Sequence, residues 1–285
     1  LNAIVPSDME IIQINGFNTS GDEMCPVYYK DGLVFVASAG KKKTYAWNNR
    51  PWLNLLYVPY KPKGGEKVKG EPFNGPVNDF LHCGPASFEQ QDNQMYFTRS
   101  TAVRSKTEIG SANLGIYYSL RRSGRWIPAK PFKYNSKKYS NAHPALFNGG
   151  KEMYFVSDMP GGYGGTDIYY TKYAGNTWTT PVNLGPVINT DKNEMFPFFH
   201  KDGQLYFASE GHTGFGGLDI FVSTMTNGVW SKPVNMGKPV NSGYDDFGII
   251  LDKSSKQGYI TSNRPGGAGN DDIYRIATRE EKKKD

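Results

Sequence analysis

The stretch SDMPGGYGGTDIYY, residues 157 to 170, sets two carboxylates, Asp158 and Asp167, around four glycines. Loops of this kind cradle a phosphate, bind calcium, or turn a corner between strands. A phosphate loop calls for a following Gly-Lys-Ser/Thr and a helix N-terminus aimed at the anion, and this stretch offers neither. GGYGGTD approaches the G-G-x-G-x-D pattern of calcium-binding β-rolls, whose turns stack every nine residues. Its nearest copies here are far more widely spaced.

Those copies are SEGHTGFGGLDIFV from Ser209 and SNRPGGAGNDDIYR from Ser262, which gives a period of 52 to 53 residues. Each follows a strand-like run: EMYFVS, QLYFAS and QGYITS. Weaker copies of that run, LVFVAS ending at Ser38 and MYFTRS ending at Ser100, lie upstream with rewritten loops behind them. An Asn recurs between copies, at Asn18, Asn78, Asn135, Asn189 and Asn241, and is expected to bond to the local main chain. After it comes a short apolar strand, often opening at a proline (CPVYY, GPASF, HPALF, FPFFH), and before it TTPVNLG and SKPVNMG supply another.

One unit thus reads as four short antiparallel strands, and no stretch shows sustained helical periodicity. Aromatic content of 14%, with 33 Gly and 18 Pro, agrees with strands and turns. The last copy stops after DDIYRI, one strand short, while MEIIQI at residues 9 to 14 stands unattached at the start. NTSGDEMCP at 18 to 26 tracks NTDKNEMFP at 189 to 197, so the first strand is expected to complete the last blade. Closing the ring this way removes an exposed sheet edge.

The expectation is an all-β, five-bladed β-propeller of four-stranded antiparallel blades forming one domain over residues 1–278. Its blades fall at about 22–78, 79–135, 136–189, 190–241 and 242–276 plus 9–14, with 279–285 a charged tail or linker. A four-bladed ring with an appended hairpin is the alternative. The ends look like cuts in a longer protein. No apolar run approaches the roughly 20 residues of a membrane helix, so no direct membrane span is expected.

These repeats, with the Asp-Gly turns at Asp31 and Asp202, resemble the WD-like repeats of TolB-type propellers. NEMFPFFHKDGQLYFASEGHTGFGGLDIFVS is similar to the propeller of PorE-type, OmpA-family lipoproteins of the Bacteroidetes type IX secretion system. The resemblance implies a periplasmic, outer-membrane-associated chain, with envelope or secretion-system proteins or a bound peptide as partners. Peptidoglycan binding in that family belongs to domains this chain does not contain.

Residues that recur in every blade are most simply explained by what every blade needs. On that ground Asp158, Gly165, Asp167, Gly217, Asp219 and Asp272 are expected to be structural loop residues. Glu23, Glu194 and Asp246 share one repeat position and are candidates to line a channel mouth. Glycoside hydrolysis would need two acids from different blades converging at about 5 to 10 Å. Their repetition again favours structure, so the chain is expected to be a non-catalytic scaffold, with a glycan-binding or glycan-hydrolysing channel site as the alternative.

Residues that break the repeat are the better binding candidates. Between Lys30 and Tyr139 there are 19 Lys and Arg against 7 Asp and Glu, whereas the remainder is net acidic. Lys41, Lys42, Lys43, Arg50, Arg104, Arg121 and Arg122 are therefore the expected contacts for an acidic partner. Nucleic acid is not expected, because no binding motif accompanies the charge. No metal or cofactor is expected either: His82, His143, His200 and His212 lack zinc-site spacing, and two cysteines cannot build a four-Cys site. Cys25 and Cys83 either pair or stay as buried thiols.

Overall fold

The structure is a computed structural model that describes residues 8–14, 16, 18–38, 52–59, 69–75, 77–78, 82–101 and 113–282. Five blades of four antiparallel strands stand in a ring. The innermost strands are Glu23–Tyr29, Cys83–Phe88, Asn141–Phe147, Glu194–Phe199 and Asp246–Leu251. Each touches the next around a central channel, and the fifth returns to the first.

The second strands (Gly32–Ser38, Gln94–Ser100, Glu152–Ser157, Gln204–Ser209 and Gln257–Ser262) are sandwiched between neighbouring blades. Buried on both faces, they carry consecutive apolar residues at their centres (LVFVA, MYF, MYFV, LYFA and YI) rather than alternating ones. Phe35, Phe97, Phe155, Phe207 and Ile260 fill the same place in successive blades and are all fully buried. Burial of each stabilises the fold by about 2 kcal/mol relative to exposure. Among the described residues the apolar core divides into five clusters, so the stability of the ring resides largely in blade-to-blade contact.

Ring closure follows the sequence expectation. Met9–Gln13 pairs with the third strand of the last blade, Asp272–Thr278, in register from Met9 opposite Thr278 to Gln13 opposite Tyr274. In the other four blades the fourth strand is only two residues long: Glu71–Pro72, Lys130–Pro131, Val182–Asn183 and Val234–Asn235. Beside each short strand the third strand would have unpaired main-chain groups, and the recurring Asn supplies the missing partner. Asn189 accepts from the Ile168 N–H at 2.8 Å and donates to the Ile168 carbonyl at 3.1 Å. Asn241 does the same to Ile220, Asn135 to Ile116, Asn78 to Leu55 and Asn18 to Ile273. The bond is thus not local, as expected from sequence, but spans about 20 residues within a blade and 255 residues at the closure.

Every innermost strand carries a register shift near its start. In four of them the bulged residue is left-handed: Cys25, His143, Phe196 and Gly248, with φ of 52, 49, 52 and 61°. A bulge adds one residue against the partner strand and re-aims the side chains beyond it. The cysteines are unpaired with each other and buried. The third strand of the last blade is followed by one helical turn, Arg279–Lys282, where the sequence suggested only a charged tail or linker.

Candidate functional site

The glycine corners occupy one face of the ring. Asp167 accepts from the Tyr163 N–H (2.6 Å), the Gly164 N–H (3.2 Å) and the Asn183 side chain (2.8 Å). Asp219 accepts from Phe215 and Gly216, and Asp272 from Ala268 and Gly269, in the same manner. The second half of each corner lies on the next blade. A Cβ on Gly164, Gly216 or Gly269 would run into the carbonyl oxygen of Lys192, Tyr244 or Gly21, and one on Gly165 or Gly217 into Asn193 or Asp245. Asp158 accepts from the Ser140 N–H at 2.6 Å. These residues hold corners and join blades.

Glu23, Glu194 and Asp246 begin their innermost strands on the same face, but they do not line an open mouth. All three are fully buried. Glu194 accepts from the Thr190 N–H and hydroxyl and from Ser209. Glu23 is held in the same way by Thr19, and the shorter Asp246 by Ser242 and by an ion pair with Arg264. Burial raises the pKa of Glu23 and Glu194 against the pull of those bonds. Their recurrence reflects the turn that every blade makes.

Of the basic candidates, Lys41, Lys42, Lys43, Arg50 and Arg104 lie outside the described residues. Arg121 and Arg122 end the third strand of the second blade, where the Arg121 Nε donates to the Gly124 carbonyl at 3.1 Å and Arg122 is exposed.

The opposite face carries the hairpins between innermost and second strands, and there acids from two different blades line one cavity. A cavity of about 460 Å³ is lined by Phe88 and Glu89 of the second blade, by Phe147, Asn148 and Glu152 of the third, and by Phe199 and Lys201 of the fourth, among others. Glu152 accepts from Asn148 Nδ2 at 2.7 Å and from the Tyr170 hydroxyl at 2.6 Å. The Tyr170 pKa is raised by burial and then by Glu152, so the phenol stays a donor. Glu89 is oriented by the N–H groups of Gln91 (3.0 Å) and Asn93 (2.7 Å). Beside it, Asp92 has a raised pKa, chiefly from burial and further from the Glu89 charge, opposed by a bond from the Lys30 N–H. Three half-buried phenyl rings and two fixed carboxylates therefore share one opening.

Sequence reasoning passed over both acids, although Glu152 breaks the repeat and Glu89 stands at a position that varies from blade to blade. Glu152 stands where three other blades have Gln94, Gln204 and Gln257. Glu89 stands where they have Lys30, Asn148, His200 and Asp252. The departure at Glu152 was the available signal.

Deeper in the channel, the His143 ring stacks on Phe196 (centroids 4.0 Å apart, 12° between planes), which in turn packs against Phe247 at 4.7 Å. Burial pushes the His143 pKa from the ordinary value of 6.5 down to about 3. Between these values the unfolded chain takes up a proton that the folded chain refuses, so stability is lost as pH falls through that window. Buried Glu23 and Glu194 act in the opposite sense, which makes a paired comparison informative. His143→Phe is expected to lose less thermal stability than wild type between pH 6.5 and 4, measured by scanning fluorimetry; parallel losses would refute this.

No family model matches the chain, and no curated protein matches it. Solved structures do match. A glycoside hydrolase superposes with a TM-score of 0.58 at 9% identity, over 94% of this chain and 90% of that one. A thermostable family-43 glycoside hydrolase does so with a TM-score of 0.51 at 15% identity, over 96% and 91%. The fold is shared with glycoside hydrolases. The chain also spans 36% of the length of a puromycin-hydrolyzing peptidase of Mycobacterium tuberculosis, at 15% identity, over 91% of this chain and with a TM-score of 0.47.

At these identities the likeness is one of fold. The expectation of a non-catalytic scaffold is corrected to this extent: the fold is one that glycoside hydrolases also have. The propeller implied by the repeat resemblance stands, while the matching structures are glycoside hydrolases and not PorE-type proteins.

Proposed function

We propose that the chain binds a glycan at the hairpin-face mouth of its channel and hydrolyses it there. The observation that carries the reading is the pair Glu89 and Glu152, contributed by different blades at non-equivalent repeat positions to one aromatic-floored cavity. Phe88, Phe147 and Phe199 offer flat apolar surface for the C–H face of a sugar ring, and the carboxylates accept its hydroxyls. Glycosidic cleavage needs one carboxyl to protonate the leaving oxygen and a second to attack the anomeric carbon or to take a proton from the attacking water. Glu152, gripped by Tyr170 and Asn148, suits the charged role. Glu89, on the second-blade wall of the same opening, is then left the part of proton donor.

The test is incubation of the chain with a panel of 4-nitrophenyl glycosides and polysaccharides, reading aryl release and reducing ends, with saturation-transfer NMR for binding. Release from at least one member is expected, and the anomeric configuration of the first product shows whether the two carboxyls act by retention or inversion. No release and no saturation transfer from any saccharide would overturn the reading.

A further inference from the structure

Behind the mouth, and sharing Phe88, Leu146 and Phe199 with it as walls, lies a second cavity of about 210 Å³ between the innermost strands. Its walls are chiefly the rings of Pro26, Pro85, Pro144 and Pro197 with Val27 and Ile249. The stack of His143, Phe196 and Phe247 stands toward the corner face. Polar atoms come from Cys25, Tyr28, Ser87 and His143. Ser87 Oγ accepts from the Leu146 N–H at 2.9 Å. His143 Nδ1 accepts from the Phe196 N–H at 3.3 Å, which puts the ring proton on Nε2. That Nε2–H has no partner among the described residues, and the depressed pKa keeps the ring neutral.

A neutral donor in an apolar compartment selects its occupant by elimination. A carboxylate would lose its hydration for one uncharged bond, and a bare alkyl group would leave the donor unpaired. A sugar ring would bring more hydroxyls than the compartment can satisfy. One carbonyl with one methyl meets both conditions. Resting on the glycan reading of the mouth, we infer that this compartment receives the acetyl group of an acetylated sugar. The carbonyl accepts from His143 Nε2–H and the methyl lies among the proline rings.

The test uses the whole chain and compares glucose, N-acetylglucosamine and 6-O-acetylglucose by calorimetry, with acetamide followed on the His143 ring-nitrogen resonances. One hydrogen bond and one buried methyl predict that an acetylated sugar binds on the order of tenfold more tightly than glucose. The two acetylated arms distinguish an acetamide on C2 from an acetyl ester on C6. His143→Phe should abolish the preference and leave glucose binding unchanged; Phe196 already occupies the equivalent bulge with φ of 52°, so the fold accommodates the ring. Ala86→Leu, which fills the compartment while sparing His143, should do the same. Equal affinities for parent and acetylated sugars, or a preference that survives both variants, would overturn the inference. If no sugar binds at all, the reading of the mouth falls instead, and an acetamide-induced shift at His143 Nε2 would still uphold the compartment.

Discussion

Glu152→Gln is expected to lower glycan hydrolysis roughly a thousandfold, a loss within the range of about 10²–10⁴ assigned to a positioned acid or base, while leaving the melting temperature within about 2 °C of wild type, a shift of about 0.5–1 kcal/mol. The fold itself supplies the control. Gln94, Gln204 and Gln257 begin the second strands of three other blades, so the substitution installs what the repeat carries elsewhere. Tyr170 can still donate to the amide oxygen, and the loss is then one of charge at the reacting carbon. Glu89→Gln should behave differently. Its cost should be large for glycosides with alkyl leaving groups and small for 4-nitrophenyl glycosides, whose leaving oxygen needs no proton. Steady-state rates on both substrate classes decide the matter: activity unmoved by either variant would remove these carboxyls from the chemistry, and equal losses on both classes would remove Glu89 from the acid role.

These acids went unread for a reason rooted in repetition. Comparing copies finds what every blade needs, and the acids it finds, Glu23, Glu194 and Asp246, are held by the turns that every blade makes. Glu152 appears only by asking where one blade departs from the others at a single position. Departures at the scale of whole loops were legible, as in the basic insertions, but a one-residue change from Gln to Glu lies below that scale. The channel compartment was less legible still. His143 lines it because a left-handed bulge re-aims the innermost strand, and a bulge leaves no mark on apolar alternation in so short a strand. The ring, by contrast, was readable down to the closing strand, since counting strands per repeat leaves the last copy short and the first residues spare.

Asn189→Ala is expected to be among the most destabilising single changes in the ring. The side chain is almost wholly buried and serves both main-chain groups of Ile168, at 2.8 and 3.1 Å, while also donating to Asn183 Oδ1 at 2.8 Å. Alanine leaves a buried N–H and a buried C=O without partners in a cavity too small to hydrate them freely, at about 1–3 kcal/mol each. A chain of this size loses roughly 2–4 °C per kcal/mol, so the melting temperature should fall by on the order of 5–20 °C. Asn189→Asp separates the two halves of the clamp: it keeps the acceptor for the Ile168 N–H and places a charge against the carbonyl, and should cost at least as much. The same alanine at Asn18, whose surroundings are only partly buried, tests the closure more gently, because there the clamp ties the start of the chain to Ile273. A drop at Asn189 no larger than at Asn18 would show that water replaces the amide, and would move the stability of the blades from these clamps to the apolar clusters between them.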